Sequence, residues 1–272
     1  MISFTSGDIE QIKDKNFDYF NVHQFNLSCG SVYIKKCCGN ESFMELLGKK
    51  VFDIVGIDCP NYYYMNGNYV VSDDLHKLDK FIYMNDVPGV SDSITWRTVT
   101  FKLVCDSLCE ICNNKEEIKL QLIIMHFVDI LFSNTDRHLN NYGVYFDKDG
   151  NAKIVVFDNG LLLDYFDCVT KPMSCVVNES TFIKMREFKH FLNNLSEEQI
   201  RYIYEIYCRF NTDVVRTLID KVEKENGIKL SGKNRLIFQY TKNHLMVGAV
   251  LNKFISNKVK REVHEMKLSK SS

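Results

Sequence analysis

Apolar and polar positions along the chain change their rhythm near residue 90. Before it the runs are short and strand-like: Val32–Lys36 and Asn68–Ser72 are β-branched or aromatic and bounded by Gly, Asn or Asp. One helix interrupts them. From Glu41 to Val55, residues Phe43, Leu46, Leu47, Val51, Ile54 and Val55 recur at a period near 3.6. Asn40 is placed as its N-cap and Gly56 as its stop. Beyond residue 90, Trp96–Cys112 and Glu116–Phe132 read as successive helices parted by a turn at Asn113-Asn114. The second contains the most apolar stretch of the chain, Leu120–Phe132, broken by Gln121, His126 and Asp129. A loop, Ser133–Asn141, then leads to two short strands, Gly143–Phe146 and Ala152–Phe157, joined through Asp147–Asn151, which has hairpin-turn chemistry. From Phe182 to Lys267 the pattern is helical, with Ser196 as an N-cap ahead of Glu198 and Gln199.

This pattern predicts an α+β fold in two parts: a small mixed α/β half, residues 1–90, and a larger, mainly helical half, residues 91–272. Composition agrees with a packed protein. Of 272 residues 45% are hydrophobic, enough for a sizeable core. A net charge of −1 gives no bulk attraction to nucleic acid or to an anionic membrane. No stretch approaches the roughly 18 apolar residues of a membrane span, and Met1–Glu10 lacks the basic and apolar regions of a secretory signal. Ten cysteines, two of them adjacent (Cys37, Cys38) and the rest scattered through apolar segments, read as reduced core thiols. The spacing Cys105, Cys109, Cys112 is that of a helix face rather than of an iron–sulfur loop. A cytoplasmic protein is expected; export by a signal-independent route stays open.

The chemistry concentrates in the loop Ser133–Asn141 and in Phe157-Asp158-Asn159-Gly160. The hairpin between them returns the chain, so that Asp158 can lie beside Asn141. Phosphoryl transfer needs a carboxylate to orient or deprotonate the attacking hydroxyl, and a second carboxylate with an amide oxygen to hold Mg²⁺ against the phosphates. Asp136 suits the first role; Asn141 and Asp158 suit the second. An Asp followed five positions later by Asn is the spacing of kinase catalytic loops.

Asp136-Arg137-His138-x-x-Asn141 resembles the catalytic loop of the HipA-like kinases and of the related phosphoinositide kinases, and Phe157-Asp158-Asn159-Gly160 falls where those families carry their metal-binding Asp. The resemblance implies a protein-kinase-like bilobal fold with a small N-lobe and a helical C-lobe. It implies ATP and Mg²⁺ as cofactors and the Ser or Thr of a protein as acceptor. In these families the residue at His138 orders the loop; Arg137 does similar work or is solvated. A lipid or small-molecule kinase fits the Asp-Arg-His string equally, but Asn159–Arg186 lacks the basic cluster that a phosphorylated headgroup requires. The remaining alternative is a nucleotide-binding pseudokinase or interaction module.

A kinase-like fold should also supply a strand lysine and a helix glutamate that fixes it. Val32-Tyr33-Ile34-Lys35 has the spacing of a Val-Ala-Ile-Lys strand, with Lys36, facing the other way, as the rival. Glu45 is the expected partner, since Glu41 at the helix start is favoured by the helix dipole alone. The phosphate-covering loop is expected at Ser28, Gly30 and Ser31. By the same resemblance, the backbone of Val71 and Ser72 is expected to read adenine.

Overall fold

The computed structural model describes residues 5–13, 22–28, 30–65, 69–78, 80–91, 101–134, 136–163, 192–193 and 195–269. The chain is a mixed α/β protein with two small antiparallel sheets. Helix α1 (Ser6–Lys13) precedes a four-stranded sheet of β1 (Val22–Leu27), β2 (Gly30–Lys36), β3 (Tyr62–Met65) and β4 (Tyr69–Asp73), in spatial order β1-β2-β4-β3. Helix α2 (Glu41–Val55) connects β2 to β3. A second sheet joins β5 (Ile82–Tyr83) to the hairpin β6 (Tyr142–Phe146) and β7 (Ala152–Val156). Around it pack α3 (Phe101–Ile111), α4 (Lys115–Leu131), α5 (Glu197–Arg209), α6 (Thr212–Asn226) and α7 (Lys233–Ser269). No helix among the described residues is long and apolar enough to cross a membrane.

The expected strand at 68–72 is β4, with residue 68 outside the described part, and the expected helix from Trp96 is described from Phe101 onward. The helical reading from Phe182 falls outside the description as far as residue 191. Helix α1 and strands β1 and β3 were not foreseen. Tyr62–Met65 is half-buried throughout and has no alternation to announce it. Cys105 on α3 and Cys112 just after it are buried, and Cys109 on α3 is half-buried.

Two apolar clusters organise the molecule. Ile12, Phe25, Leu27, Val32, Ile34 and Val71 form a small one under the four-stranded sheet. The other runs from Phe43 and Leu47 on α2, through α4 and the β6–β7 hairpin, to Leu251 on α7. Helix α2 buries Phe43, Met44, Leu47, Val51 and Phe52 in this large core, each burial being worth roughly 1.5–3 kcal/mol. Gly56 ends the helix in the left-handed conformation (φ 72°).

Asparagine side chains bracket the elements. Asn40 stands at the N-cap of α2 but makes no cap bond. Its amide instead donates to the Ser231 carbonyl (3.0 Å) and accepts from the Ser231 N–H (3.1 Å). Asn114 makes the same two-way link with Ala152 (2.9 and 2.7 Å), docking the β6–β7 hairpin on the start of α4. At the other end of α4, the buried Asn243 of α7 donates to the carbonyls of Ile130 and Leu131 (2.9 and 2.8 Å). Those carbonyls belong to the last turn, which has no partners within the helix.

Ser196 caps α5 as expected, in a complete capping box with Gln199. The substitution Asn243→Leu should strand the Leu131 carbonyl, the Ile130 carbonyl keeping the Ser133 N–H (3.3 Å), and lower the unfolding free energy by about 1–3 kcal/mol. Urea denaturation followed by circular dichroism measures this; an unchanged midpoint would mean that water replaces the amide.

Candidate active site

Strand alternation decides which lysine of β2 faces the cleft. Val32 and Ile34 point into the small core, so Tyr33 and Lys35 occupy the opposite face. Lys35 is mostly buried and meets three carboxylates: Glu41 at 2.5 Å, Asp158 at 2.6 Å and Glu45 at 3.4 Å. Burial alone would lower its pKa, but Glu45, Asp158 and Glu41 outweigh burial and hold it well above the usual range for lysine. The ammonium is therefore permanently charged. In return Lys35 keeps the Asp158 carboxyl below its ordinary value, against the effect of burial. Glu45, fully enclosed, is pushed upward by burial and then by the Asp158 charge.

The loop after α4 is built on a buried guanidinium. Arg137 is completely inaccessible to solvent. Its Nε donates to Asp129 Oδ2 (3.1 Å), and its Nη2 donates to Asp129 Oδ1 (3.2 Å) and Asn159 Oδ1 (2.6 Å). Its Nη1 donates to the carbonyls of Asn141 and Phe157, both at 2.8 Å. Five donors thus meet five acceptors, the full capacity of an arginine. Asn134 donates from its amide to Asp129 Oδ1 (2.8 Å), and its amide oxygen accepts the Asp136 N–H (3.1 Å). The catalytic-loop candidate and the Asp158 loop are in this way fastened to one side chain.

Asn141 turns its amide NH₂ to Asp136, donating to the carbonyl (2.7 Å) and to the carboxylate (3.4 Å). That leaves its amide oxygen directed away from Asp136. Burial raises the Asp136 carboxyl above its ordinary value. His138 accepts the Asn140 N–H on Nδ1 (3.2 Å), which orders the loop. Asp158 has a left-handed backbone (φ 54°), and its N–H donates to the Tyr62 hydroxyl (3.2 Å). Non-glycine residues held so cluster at functional sites. The next N–H, of Asn159, donates to Glu45 Oε2 (2.7 Å).

These groups line a cleft of about 270 Å³. Its apolar and aromatic wall is made by Tyr33, Leu75, Tyr83 and Phe157, while Val22 and Val70 flank Lys35 across the sheet. Its polar part carries Lys35, Glu45, Asn141 and Asp158. A planar apolar group fits the wall and an anion with a hard cation fits the polar part, because oxygen donors are what Mg²⁺ takes.

No protein-family model and no curated protein matches the sequence. Solved structures do match its fold. The proinflammatory kinase CtkA of Helicobacter pylori superposes with a TM-score of 0.65 at 13% identity, over 87% of this chain and 95% of that one. The chain has a HipA-like kinase fold. A structure of the Shewanella oneidensis HipA–HipB toxin–antitoxin system with its operator DNA superposes with a TM-score of 0.57 at 12% identity, over 91% of this chain and 70% of that one.

Within this HipA-like fold, Lys35, Glu45, Asn141 and Asp158 meet in one cleft, and Asp136 is bonded to Asn141. Of the other expected residues, Ser72 alone lines the cleft. Ser28 donates from its N–H and hydroxyl to the Asp8 carboxylate on α1 (2.9 and 2.5 Å). The Ser31 hydroxyl goes to Asp74 (2.6 Å), and Gly30 adjoins the Lys77 ammonium. None of the three lines the cleft. The cause is register: Val22, at the start of β1, pairs with Lys35, while Gly30 lies five residues away along β2. At about 3.3 Å per residue that is roughly 16 Å. Val71 and Ser72 sit on a central strand and pair with Ile34 and Tyr33 on one side and Tyr63 and Tyr62 on the other. Their backbone groups are taken up by the sheet, and Val71 points into the small core.

Glu41, weighed and set aside in favour of Glu45, also meets Lys35; Tyr62, Asp129, Asn134 and Asn159 were not expected at the site, and the solvated alternative for Arg137 is excluded by its burial. Asp129 had a signal. A lone acid inside the most apolar stretch must be paired, and an arginine follows eight positions later.

Removing one partner of a buried ion pair leaves an uncompensated charge. Arg137→Met should lower the unfolding free energy by about 3–5 kcal/mol, and adding Asp129→Leu should recover part of that loss. Chemical denaturation of the two single variants and the double variant measures the coupling; strictly additive losses would refute it.

Proposed function

We propose that this chain is a kinase that transfers the γ-phosphate of ATP, with Mg²⁺, to a Ser or Thr hydroxyl of a protein. The observation that carries the reading is the convergence of Lys35, Asp158 and Asn141 on one cleft, with Asp136 bonded to Asn141. The aromatic wall of the cleft suits adenine. Leu75, just past the central strand, lines the cleft and is better placed than Val71 and Ser72 to pack on the base. The start of β1, beside Lys35, is better placed than the hairpin at Ser28–Ser31 to cover the phosphates.

In this reading the Asn141 amide oxygen and the Asp158 carboxylate hold Mg²⁺, which when bound neutralises charge on the phosphate oxygens. Lys35 brings a fixed positive charge to the same oxygens, and Glu41 and Glu45 aim it. Asp136 orients the acceptor hydroxyl and takes its proton. A pKa raised by burial makes it a better base near neutrality than an exposed aspartate. The Asn141 amide holds the Asp136 carboxylate beside the Asn141 side chain, which lines the cleft. A protein acceptor is favoured over a lipid because the sequence Asn159–Arg186 sets Lys171, Lys184 and Arg186 among Asp164, Asp167 and Glu179 and so has no basic cluster for a headgroup.

Asp136→Asn should lower phosphotransfer to protein by about 100-fold or more, the scale of a lost general base. It should leave Mg-ATP binding intact in a thermal-shift assay. Phosphosite mass spectrometry of a lysate treated with the wild type and with this variant supplies the readout. Equal phosphorylation by both would sink the assignment, and transfer to phosphoinositide vesicles instead of protein would move the acceptor class.

A further inference from the structure

Helix α2 and the loop at 157–160 are packed with no gap between them. A Cβ on Gly48 of α2 would stand 2.5 Å from the Cβ of Asn159, and one on Gly160 would overlap the Glu41 side chain. Both contacts exist because glycine has no side chain. At their centre Asn159 is fully buried with every polar group engaged. Its N–H donates to Glu45 Oε2 (2.7 Å), its amide oxygen accepts from Arg137 (2.6 Å), and its amide nitrogen faces the Cys59 sulfur (3.5 Å).

Ordinary protein kinases carry Phe at this position, in Asp-Phe-Gly, where its packing sets active and inactive states. An apolar ring can exchange one apolar pocket for another. Asn159 cannot. Moving it out would leave a guanidinium donor and a carboxylate oxygen buried and unpaired, both inside the protein. The outer face of α2 is pinned as well, by Asn40 on Ser231 and by an ion pair of Lys50 with Glu225 of α6 (2.8 Å).

We propose that α2 and the loop at 157–160 form one locked unit, with Asn159 and Gly48 as positioning residues that hold Asp158 in the cleft before any nucleotide binds. The two segments open together or not at all, and control of the protein does not run through flipping this loop or swinging α2. The consequence for metal binding rests on the kinase reading; the lock itself rests on the contacts alone.

Hydrogen–deuterium exchange on the full chain separates the two. In the wild type without nucleotide, the amides of residues 157–162 and of α2 should exchange at a common slow rate, and Mg-ATP should slow both by a common factor. Asn159→Leu should speed both segments together by about tenfold or more, as expected for a lost buried hydrogen bond. Under the same conditions it should leave α5 and α6 unchanged and weaken binding of Mn²⁺ with ADP, read by electron paramagnetic resonance. Asn159→Asp, which keeps an acceptor for Arg137, should restore most of the protection. If the leucine variant fails to fold, Gly48→Ala, which leaves those polar groups in place, should open the same two segments.

The lock is overturned if the loop exchanges fast while α2 stays protected in the wild type, or if either variant frees one segment alone. Paired exchange with no response to Mg-ATP and no phosphotransfer would leave the lock standing and overturn the kinase reading instead.

Discussion

A single buried guanidinium fixes α4, the β6–β7 hairpin and the Asp158 loop relative to one another. Arg137 divides its five N–H groups among three structural jobs. Two hold the Asp129 carboxylate of α4, two hold the carbonyls of Asn141 and Phe157 at the base of the β6–β7 hairpin, and one holds Asn159. Helix, hairpin and loop are therefore located by one rigid, planar fork rather than by separate contacts. The ion pair adds little net stability, because desolvating two charges offsets most of their attraction. What it supplies is geometry: Asp136 and Asp158 flank residues that Arg137 holds.

A second charge cluster depends on the first. Lys35 on β2 meets Asp158 from the Arg137-held loop and Glu41 and Glu45 from α2. Glu45 also accepts the Asn159 N–H, so the helix carboxylate is shared between the lysine and the loop. Glu41 and Asp158 together outweigh the one ammonium in charge, while burial pushes the Glu45 carboxyl upward, towards its neutral form. Such a cluster favours an added cation.

Much of this was legible in the sequence, and the unread parts share a cause. Helix α2 was readable from end to end because its apolar period is local, as were the α4 helix and the β6–β7 hairpin with its Asp147–Asn151 turn. The choice of Lys35 over Lys36 was readable too, because strand alternation is also local. That Ser28, Gly30, Ser31 and Val71 do not line the cleft was not readable, because their placement depends on register and strand order. Nothing in Ser28–Ser31 reveals that Val22 pairs with Lys35, and nothing in Val71-Ser72 reveals that β4 lies between β2 and β3. Arg137 illustrates the same limit. Its neighbours in sequence suggested a polar loop, whereas its partners come from positions 129, 141, 157 and 159.

The change of rhythm near residue 90 separates strands from helices, yet the packing is continuous across it. The large core takes in Phe43, Leu47, Val51 and Phe52 of α2 together with α4, the hairpin and α7. Only the six residues under the four-stranded sheet form a cluster of their own among the described residues. A helix that buries its apolar stripe in one core while its polar edge serves a lysine on the other sheet cannot rotate without exposing the stripe. The asparagine brackets reinforce this, since Asn40, Asn114 and Asn243 each join an element's end to a backbone distant in sequence. A cleft bounded by such elements is shaped before a ligand arrives. Preorganised positive charge and fixed carboxylates are of most value for stabilising charge that shifts during a reaction, because they need not reorganise when it does.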